Sequence, residues 1–581
     1  MNLTPDIQLI ELDSELSSYE VQKKELDRQI HTLQQQLLKA TQQRDDVRAK
    51  LSSGNYERGK LQHKVILFKK QQEIQLEIDS IQDRIDEVLE TATWAEKAKD
   101  FQIQGAASLA AGKKGLLTDE RGLGKSLSSL IWRRFVGSKR TLVLVPKRLR
   151  HNYIKQAMKW EPTVPVMPLS GKDATARRTL MGILAPLEEY IVIANLESWR
   201  KSRETLVQLK AMRFDTAIID EAHNIKDIST VQAKGVLEIV QDIPNYLSLT
   251  GTPLMNQPED LFIHLHIIDH LAFPSKNKFL RNYAYRIGQN RWRFRPGAVE
   301  ELKNILGGRY VSRSWDDVGR DVPPPEDIWY DLDFSEHPKQ AEAYEQLAER
   351  AVAVLESGKV LSMPNIITII NYQRQMVSYP AGIRIKEWEY LPDGSKELLD
   401  IWEFDVEESV KIDATLDLMK DLHDEGHPAI IGSNFVPLVY ELEKRANAIY
   451  PDMRIATFTG KTPQKLKDKI EDDFDPDLTQ EKYDFLIGTY DTMGEGMNLH
   501  RARHGIAIDS RWSPGRRDQT TGRIDRMDST DRATWHRFRI TGTIDEWVEG
   551  IINEKEDMIL GFKSVMNMKQ DLADFLKKKV A

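Results

Sequence analysis

Leu116-Leu117-Thr118-Asp119-Glu120-Arg121-Gly122-Leu123-Gly124-Lys125-Ser126 leads straight into an apolar helical run. An apolar stretch, a Gly-x-Gly-Lys-Ser turn and a helix in succession describe a strand, a phosphate loop and a helix N-terminus. Gly122 and Gly124 let backbone N–H groups approach a phosphate, and the helix start favours negative charge. Lys125 can reach the terminal phosphates, and Ser126 offers a hydroxyl to Mg²⁺. The strict pattern has Gly where this chain has Asp119, so the loop by itself could be a chance match. A second stretch argues against chance. Ala217-Ile218-Ile219-Asp220-Glu221-Ala222-His223 reads as a buried strand ending in two carboxylates, Asp220 to hold Mg²⁺ and Glu221 to polarise a water. An isolated Asp-Glu could also be an acidic helix cap; its place after a phosphate loop selects the first reading. Leu249-Thr250-Gly251-Thr252-Pro253 follows another apolar run, where small hydroxyls and a rigid turn suit a loop that senses nucleotide state. Far along the chain, Gln519-Thr520-Thr521-Gly522-Arg523-Ile524-Asp525-Arg526 supplies two arginines able to stabilise phosphoryl-transfer charge, or to serve as surface ion pairs.

From about residue 98 onward, short apolar strands alternate with amphipathic helices. Strands are expected at Thr141–Val145, Tyr190–Ala194, Thr216–Ile219 and Tyr246–Leu249, then at Ala429–Gly432, Ile455–Thr457, Asp484–Ile487 and Gly505–Ile508. Buried apolar strands separated by helices indicate parallel α/β sheets, here in two lobes. The expected layout is a first lobe at 93–270, a helical and basic insertion at 271–407, a second lobe at 408–545 and a helical tail at 546–581. The insertion contains Pro323-Pro324-Pro325 and a hairpin at 386–404 turning at Pro392-Asp393-Gly394.

Residues 1–92 have a different texture. Leu12, Leu16, Tyr19, Lys23, Leu26, Ile30, Leu33, Leu37, Ala40, Arg44, Val47 and Leu51 are spaced by alternating steps of four and three, a coiled-coil seam. Ser52-Ser53-Gly54-Asn55 breaks it, and a second seam runs through Leu67, Ile74, Ile78, Ile81, Ile85 and Val88. An α-helical coiled-coil hairpin is the economical picture, and a parallel dimeric coil is the rival. Either a protein partner or self-association through residues 6–92, or a solvated strut, would account for it.

Bulk composition narrows the classes. A length of 581 residues exceeds one core, and 40% hydrophobic with 30% charged residues is ordinary for a globular protein. With no cysteine, disulfides and thiolate metal sites are excluded. Met1-Asn2-Leu3-Thr4-Pro5-Asp6 carries no basic or apolar leader signal and no apolar run approaches a membrane span, so a cytoplasmic protein is expected. A net charge of −8 means any nucleic acid must be held by local patches. Ser275–Arg313 is one such patch, with ten Lys/Arg against two acids and Phe279, Tyr283, Tyr285, Trp292, Phe294 and Tyr310 interleaved. Arg501–Arg539 is another, with ten Arg against five Asp. Solvated faces would read the same way, but beside a phosphate loop such patches suit phosphate tracking.

Taken together, these stretches resemble the Swi/Snf-type ATPases of helicase superfamily two. Leu117–Ser126 looks like that family's motif I, including its Asp119, while Asp220-Glu221-Ala222-His223 looks like motif II and Leu249–Asn256 like motif III. Phe101-Gln102-Ile103-Gln104-Gly105 looks like the adenine-reading segment, with Gln104 as the expected base contact. Arg313 through Pro325 resembles the transition between lobes, Gly488-Thr489 through Asn498-Leu499 looks like motif V, and Asp509–Pro514 with Asp518–Arg526 look like the run into motif VI. Met527-Asp528-Ser529 departs from the family's Ile-Gly-Gln, and residues 1–92 fall outside the family pattern altogether. The stripped layout resembles bacterial or phage members.

The resemblance implies two RecA-like lobes and an ATP- and Mg²⁺-dependent motor on double-stranded DNA. Lys125, Asp220, Glu221, Arg523 and Arg526 would be catalytic, and Gln104, Asp119, Gly122, Leu123, Gly124, Lys125 and Ser126 would bind ATP. Thr250, Gly251, Thr252, Gly494 and Gly496 would couple nucleotide state to movement. Lys147, Arg281, Arg293, Arg295, Thr489, Asn498 and Trp512 would contact DNA. A strand-separating helicase and an ATP-controlled coiled-coil scaffold remain as rivals.

Overall fold

Leu142 and Leu144 face one hydrophobic core while Val143 and Val145 face another, and Val192 and Ala194 alternate with Ile191 and Ile193 in the same way. A strand that must satisfy two cores at once is apolar at every position, which is why these runs read as continuous rather than alternating. The computed structural model describes residues 84–553 and 572–576, apart from 96, 170–173, 200–202, 226–227, 252–257, 289–290, 321, 357–362, 391–395, 494–496, 498, 511–521 and 526–530. It divides into two units that meet in sequence between Val318 and Gly319.

In the first unit, β1 (Lys114–Leu117), β2 (Arg140–Val145), β3 (Val166–Pro168), β4 (Tyr190–Asn195), β5 (Thr216–Ile219) and β6 (Asn245–Leu249) are followed by a separate antiparallel ribbon, β7 (Ala284–Gly288) and β8 (Arg291–Phe294). With β9 (Tyr310–Val311) they form a seven-stranded sheet in the order β3-β4-β2-β5-β6-β1-β9. Every pairing in that sheet is parallel. Four helices support the sheet edge and the ribbon: α1 (Asp100–Ala111), α2 (Lys125–Phe135), α3 (Pro258–Ile268) and α4 (Lys276–Tyr283).

The second unit has a six-stranded sheet made from β10 (Glu326–Leu332), β13 (Ala429–Ser433), β14 (Ile455–Phe458), β15 (Phe485–Thr489), β16 (His504–Ala507) and β17 (Thr534–Ile540), with the hairpin β11 (Ile383–Tyr390) and β12 (Lys396–Phe404) beside it in the chain. The order is β10-β17-β16-β13-β15-β14, again all parallel. Its core strands are those expected from the sequence; β10 and β17 are additions, missed because both are polar. Their charges cancel across the ladder: Arg537 Nε lies 2.8 Å from Asp327 and Arg539 Nη2 lies 2.6 Å from Asp331. Lys411 and Asp545 form a buried pair at 2.7 Å that fastens the helix Val410–Asp424 to the helix Ile544–Asn553. Residues 271–318 build onto the first unit and 319–407 onto the second.

The coiled-coil hairpin expected at 1–92 lies outside the described residues up to position 83. The end of its second seam is described. Residues 84–91 are helical, and Ile85 is buried in the first unit's core with Val88 and Leu89 packed beside it. Arg84 Nη1 donates to the Phe135 carbonyl at 2.9 Å, and Trp94 meets the Phe135 ring edge-on at 6.3 Å between centroids. The last seam positions therefore dock on the end of α2. Among the described residues no helix is long and apolar enough to cross a membrane.

Candidate functional site

β1 delivers the chain to a loop in which Gly122 and Gly124 both take left-handed backbone angles, φ 86° and 73°. Gly124 is the N-cap of α2, and no side chain caps that helix start, so its first N–H groups face the loop. Lys125 Nζ donates to the carbonyls of Asp119 at 2.8 Å and Glu120 at 3.0 Å, which curls the loop around the ammonium group. One turn into α2, Ser129 Oγ donates to the Ser126 carbonyl at 2.7 Å and meets the Tyr153 hydroxyl at 2.8 Å.

The structure accounts for Asp119. Its carboxylate is fully buried and bonded by Arg313, through Nε at 3.0 Å and Nη2 at 2.7 Å. The same guanidinium donates to the Phe101 carbonyl and lies 4.8 Å from the Phe101 ring centroid. A Cβ on Gly105 would come within 2.3 Å of it, so any larger residue there would have to displace the guanidinium. The Asp119 side chain ties the loop to Arg313, and its carbonyl holds Lys125. Trp315 N donates to Glu120 Oε2 at 3.0 Å, so both acids of the loop are fixed by the strand-exit segment after β9.

Gln102, rather than Gln104, is the glutamine at the loop. It is buried, its Oε1 accepts from Lys99 N at 3.0 Å, and its Nε2 sits 2.3 Å from where a Cβ on Gly124 would be. Gln104 is half-buried, two positions further along α1. Both glutamines fit the sequence spacing; the capping bond at the start of α1 is the signal that separates them.

At the end of β5, Asp220 is half-buried and its Oδ1 accepts from Glu221 N at 2.8 Å. Burial, and then the Glu221 charge, push the Asp220 carboxyl well above its ordinary range, while the Lys125 ammonium pulls it back. Glu221 is left-handed at φ 49°, a conformation costing a non-glycine residue about 1–2 kcal/mol. His223 Nδ1 reaches Glu221 Oε2 at 3.0 Å and Thr250 Oγ1 at 3.3 Å, so the turn after β5 is tied to the loop after β6. Behind them a buried polar group closes the arrangement. His264 on α3 lies 3.0 Å from Ser248 Oγ, which is 2.6 Å from the Tyr246 hydroxyl, and the ring also interacts with the Ala222 backbone.

Lys125, Asp220, Glu221 and Thr250 are thus set at the carboxyl ends of β1, β5 and β6, where open parallel sheets bind ligands. Ser126 and Asp220 would hold Mg²⁺. A half-buried carboxylate whose charge is disfavoured beside Glu221 until a cation arrives fits that ion, and so does the hard-oxygen donor set. Among the described residues no group of three or more His, Asp or Glu side chains could hold a metal ion without other ligands.

Other expected residues are dispersed. Gly251 follows Thr250 in the described loop, while Thr252, Gly494, Gly496, Asn498, Trp512 and Arg526 lie outside the described residues. In the second unit Thr489 ends β15 with its hydroxyl 2.7 Å from Thr492 Oγ1, and Arg523 is largely buried, its carbonyl accepting from Leu499 N. Lys147 is exposed just after β2. Arg281 and Arg293 are exposed, whereas Arg295 is bonded to Glu301.

A family model for the SNF2-related domain matches residues 22–381, and one for the helicase conserved C-terminal domain matches 410–528. The first match begins at residue 22, which corrects the expectation that residues 1–92 fall outside the family pattern altogether. The mouse SWI/SNF-related matrix-associated actin-dependent regulator of chromatin subfamily A member 1 is 25% identical over 498 residues, which are 83% of this chain and 45% of that protein. YwqA of Bacillus subtilis (strain 168) is 22% identical over 448 residues, 76% of this chain and 46% of YwqA. The chain thus spans about half the length of these relatives. A Sulfolobus solfataricus SWI2/SNF2 ATPase core solved in complex with double-stranded DNA is 22% identical, covers 83% of this chain and 96% of its own, and has a TM-score of 0.36, too low to transfer geometry. With more than half its length matched by the family model, the chain belongs to the SNF2-related family.

Proposed function

We propose that this chain is an ATP-driven motor that moves along double-stranded DNA without obligatory strand separation. The gathering of Lys125, Asp220, Glu221 and Thr250 around one sheet edge carries this reading. Lys125 and the α2 N-terminus bind the β- and γ-phosphates, and Gln102 lies where it can read the base. Glu221, held by His223, polarises the water that attacks the γ-phosphorus while ADP leaves with the bridging oxygen. Ser126 and Asp220 would hold Mg²⁺, which when bound would supply charge neutralisation on the phosphate oxygens. Arg523 and Arg526 complete transition-state stabilisation, a role worth roughly 10³–10⁵ in rate in other NTPases. Thr250, Gly251, Thr252, Gly494 and Gly496 relay nucleotide state, and Lys147, Arg281, Arg293, Thr489, Asn498 and Trp512 face DNA phosphates, so binding is not sequence-specific. Residues 6–92 offer a protein partner or a second copy a place to bind.

Lys125→Ala should abolish DNA-stimulated hydrolysis while DNA binding survives. Measuring ATPase stimulation by duplex DNA, single strands and RNA in the full chain tests both parts. Full turnover in the variant ends the proposal, and stimulation by single strands alone replaces it with an unwinding helicase.

A further inference from the structure

The ribbon β7–β8 stands apart from the ATP-binding edge, and its two faces differ in chemistry. In its register Ala284 opposes Phe294, Tyr285 opposes Arg293 and Arg286 opposes Trp292. Ala284, Trp292 and Phe294 pack against the first unit's core, and Phe279 of α4 touches both Phe294 and Tyr283 ring to ring. That aromatic packing fixes the ribbon on a rigid base.

The other face carries the cross-strand pair Tyr285–Arg293, and just below the strands a second Tyr–Arg pair has the opposite fate. At the base, Arg295 lies 5.8 Å from the Tyr283 ring centroid, donates through Nε to the Asn282 carbonyl at 2.7 Å and is neutralised by Glu301. One step up, Tyr285 is 46% exposed and Arg293 is exposed beside it. Arg281 and Lys278, spaced three apart on α4, are exposed as well. Among the described residues Lys278, Arg281 and Arg293 have no acidic partner, because the nearby Glu300 and Glu301 are taken by Lys303 and Arg295. A protein with a net charge of −8 therefore keeps an uncompensated cationic face on a rigid, aromatic-backed ribbon.

We infer that the outward face formed by Tyr285 and Arg293, with Arg281 and Lys278 leading into it, is a grip on the phosphate backbone of duplex DNA; this rests on the proposed motor function. Exposed arginines with no internal partner release counterions when they meet phosphates, and a two-stranded ribbon is narrow enough to follow a groove. Arg295 belongs to the scaffold of that grip rather than to its contacts.

The test is equilibrium binding of the full chain to unrelated duplexes across a salt series. The paired substitution Arg281→Gln with Arg293→Gln should weaken binding by about threefold to tenfold for every sequence and flatten the log–log salt slope by about 2. Arg281→Lys with Arg293→Lys should restore both, and Arg295→Gln should leave the slope unchanged. Thermal melting checks that the Gln variant is folded, as expected for exposed positions. Wild-type duplex binding with an unchanged slope in the folded Gln variant overturns the grip and leaves the motor function standing. A wild-type chain without duplex affinity removes both. Loss of slope in Arg295→Gln equal to that in the double variant overturns the division of roles.

Discussion

Arg313 is the residue that makes sense of the irregular phosphate loop. Asp119 at the usual glycine position would be a buried lone charge without it, and removing one member of a buried pair typically costs about 3–5 kcal/mol. Arg313→Ala should lower the urea stability of the first unit by an amount in that range and weaken nucleotide binding. Combining it with Asp119→Ala should cost less than the two changes summed. His264 gives a second test. Burial pushes this ring down to about 4, so the unfolded chain takes up a proton as pH falls from about 6.5 to 4 that the folded chain refuses. Its contribution is complete above that window and is lost going down through it, by on the order of 3 kcal/mol. Unfolding midpoints at pH 7.5 and 5 should differ less in His264→Leu than in the wild type, since Ser248 keeps its bond to Tyr246. At this scale the sequence reveals residue type but not direction. Lys125, Asp220 and Glu221 are legible because phosphate chemistry restricts them tightly, whereas Gln102 and Gln104 share a spacing, and only the bond to Lys99 N tells which one turns to Gly124.

Elements are legible where burial is two-sided. β2, β4, β5 and β6 are apolar because they separate two cores, so their positions can be read almost to the residue. β10 and β17 escape that reading because Arg537 and Arg539 are neutralised across the strand pair by Asp327 and Asp331, a compensation invisible until the partner strand is known. The β7–β8 ribbon escapes it for another reason. Its basic and aromatic residues are visible as a composition, but the alternation that sends Trp292 inward and Arg293 outward depends on a register that composition does not specify. The seam ending at Ile85 and Val88 has the spacing of a coiled coil to its last position. That apolar spacing serves equally well for packing on a lobe, and that is what its last turns do.

For the molecule as a whole, this docking decides where the N-terminal segment can be removed. Deleting residues 1–83 leaves those docked turns in place. Deleting 1–92 strips Arg84, Ile85, Val88 and Leu89 from their contacts with the core and should cost about 2–4 kcal/mol, roughly the burial of one or two aliphatic side chains. Calorimetry on the two truncations checks it, and equal melting would show the docked turns to be dispensable. The same attachment has a mechanical side. The helix that starts at Lys125 ends at Phe135, where Arg84 and Trp94 hold on, a span of about 16 Å. A load pulling on the N-terminal segment would be borne by the far end of the rod whose near end is Gly124 and Lys125, so tension there would reach the glycine loop directly along α2.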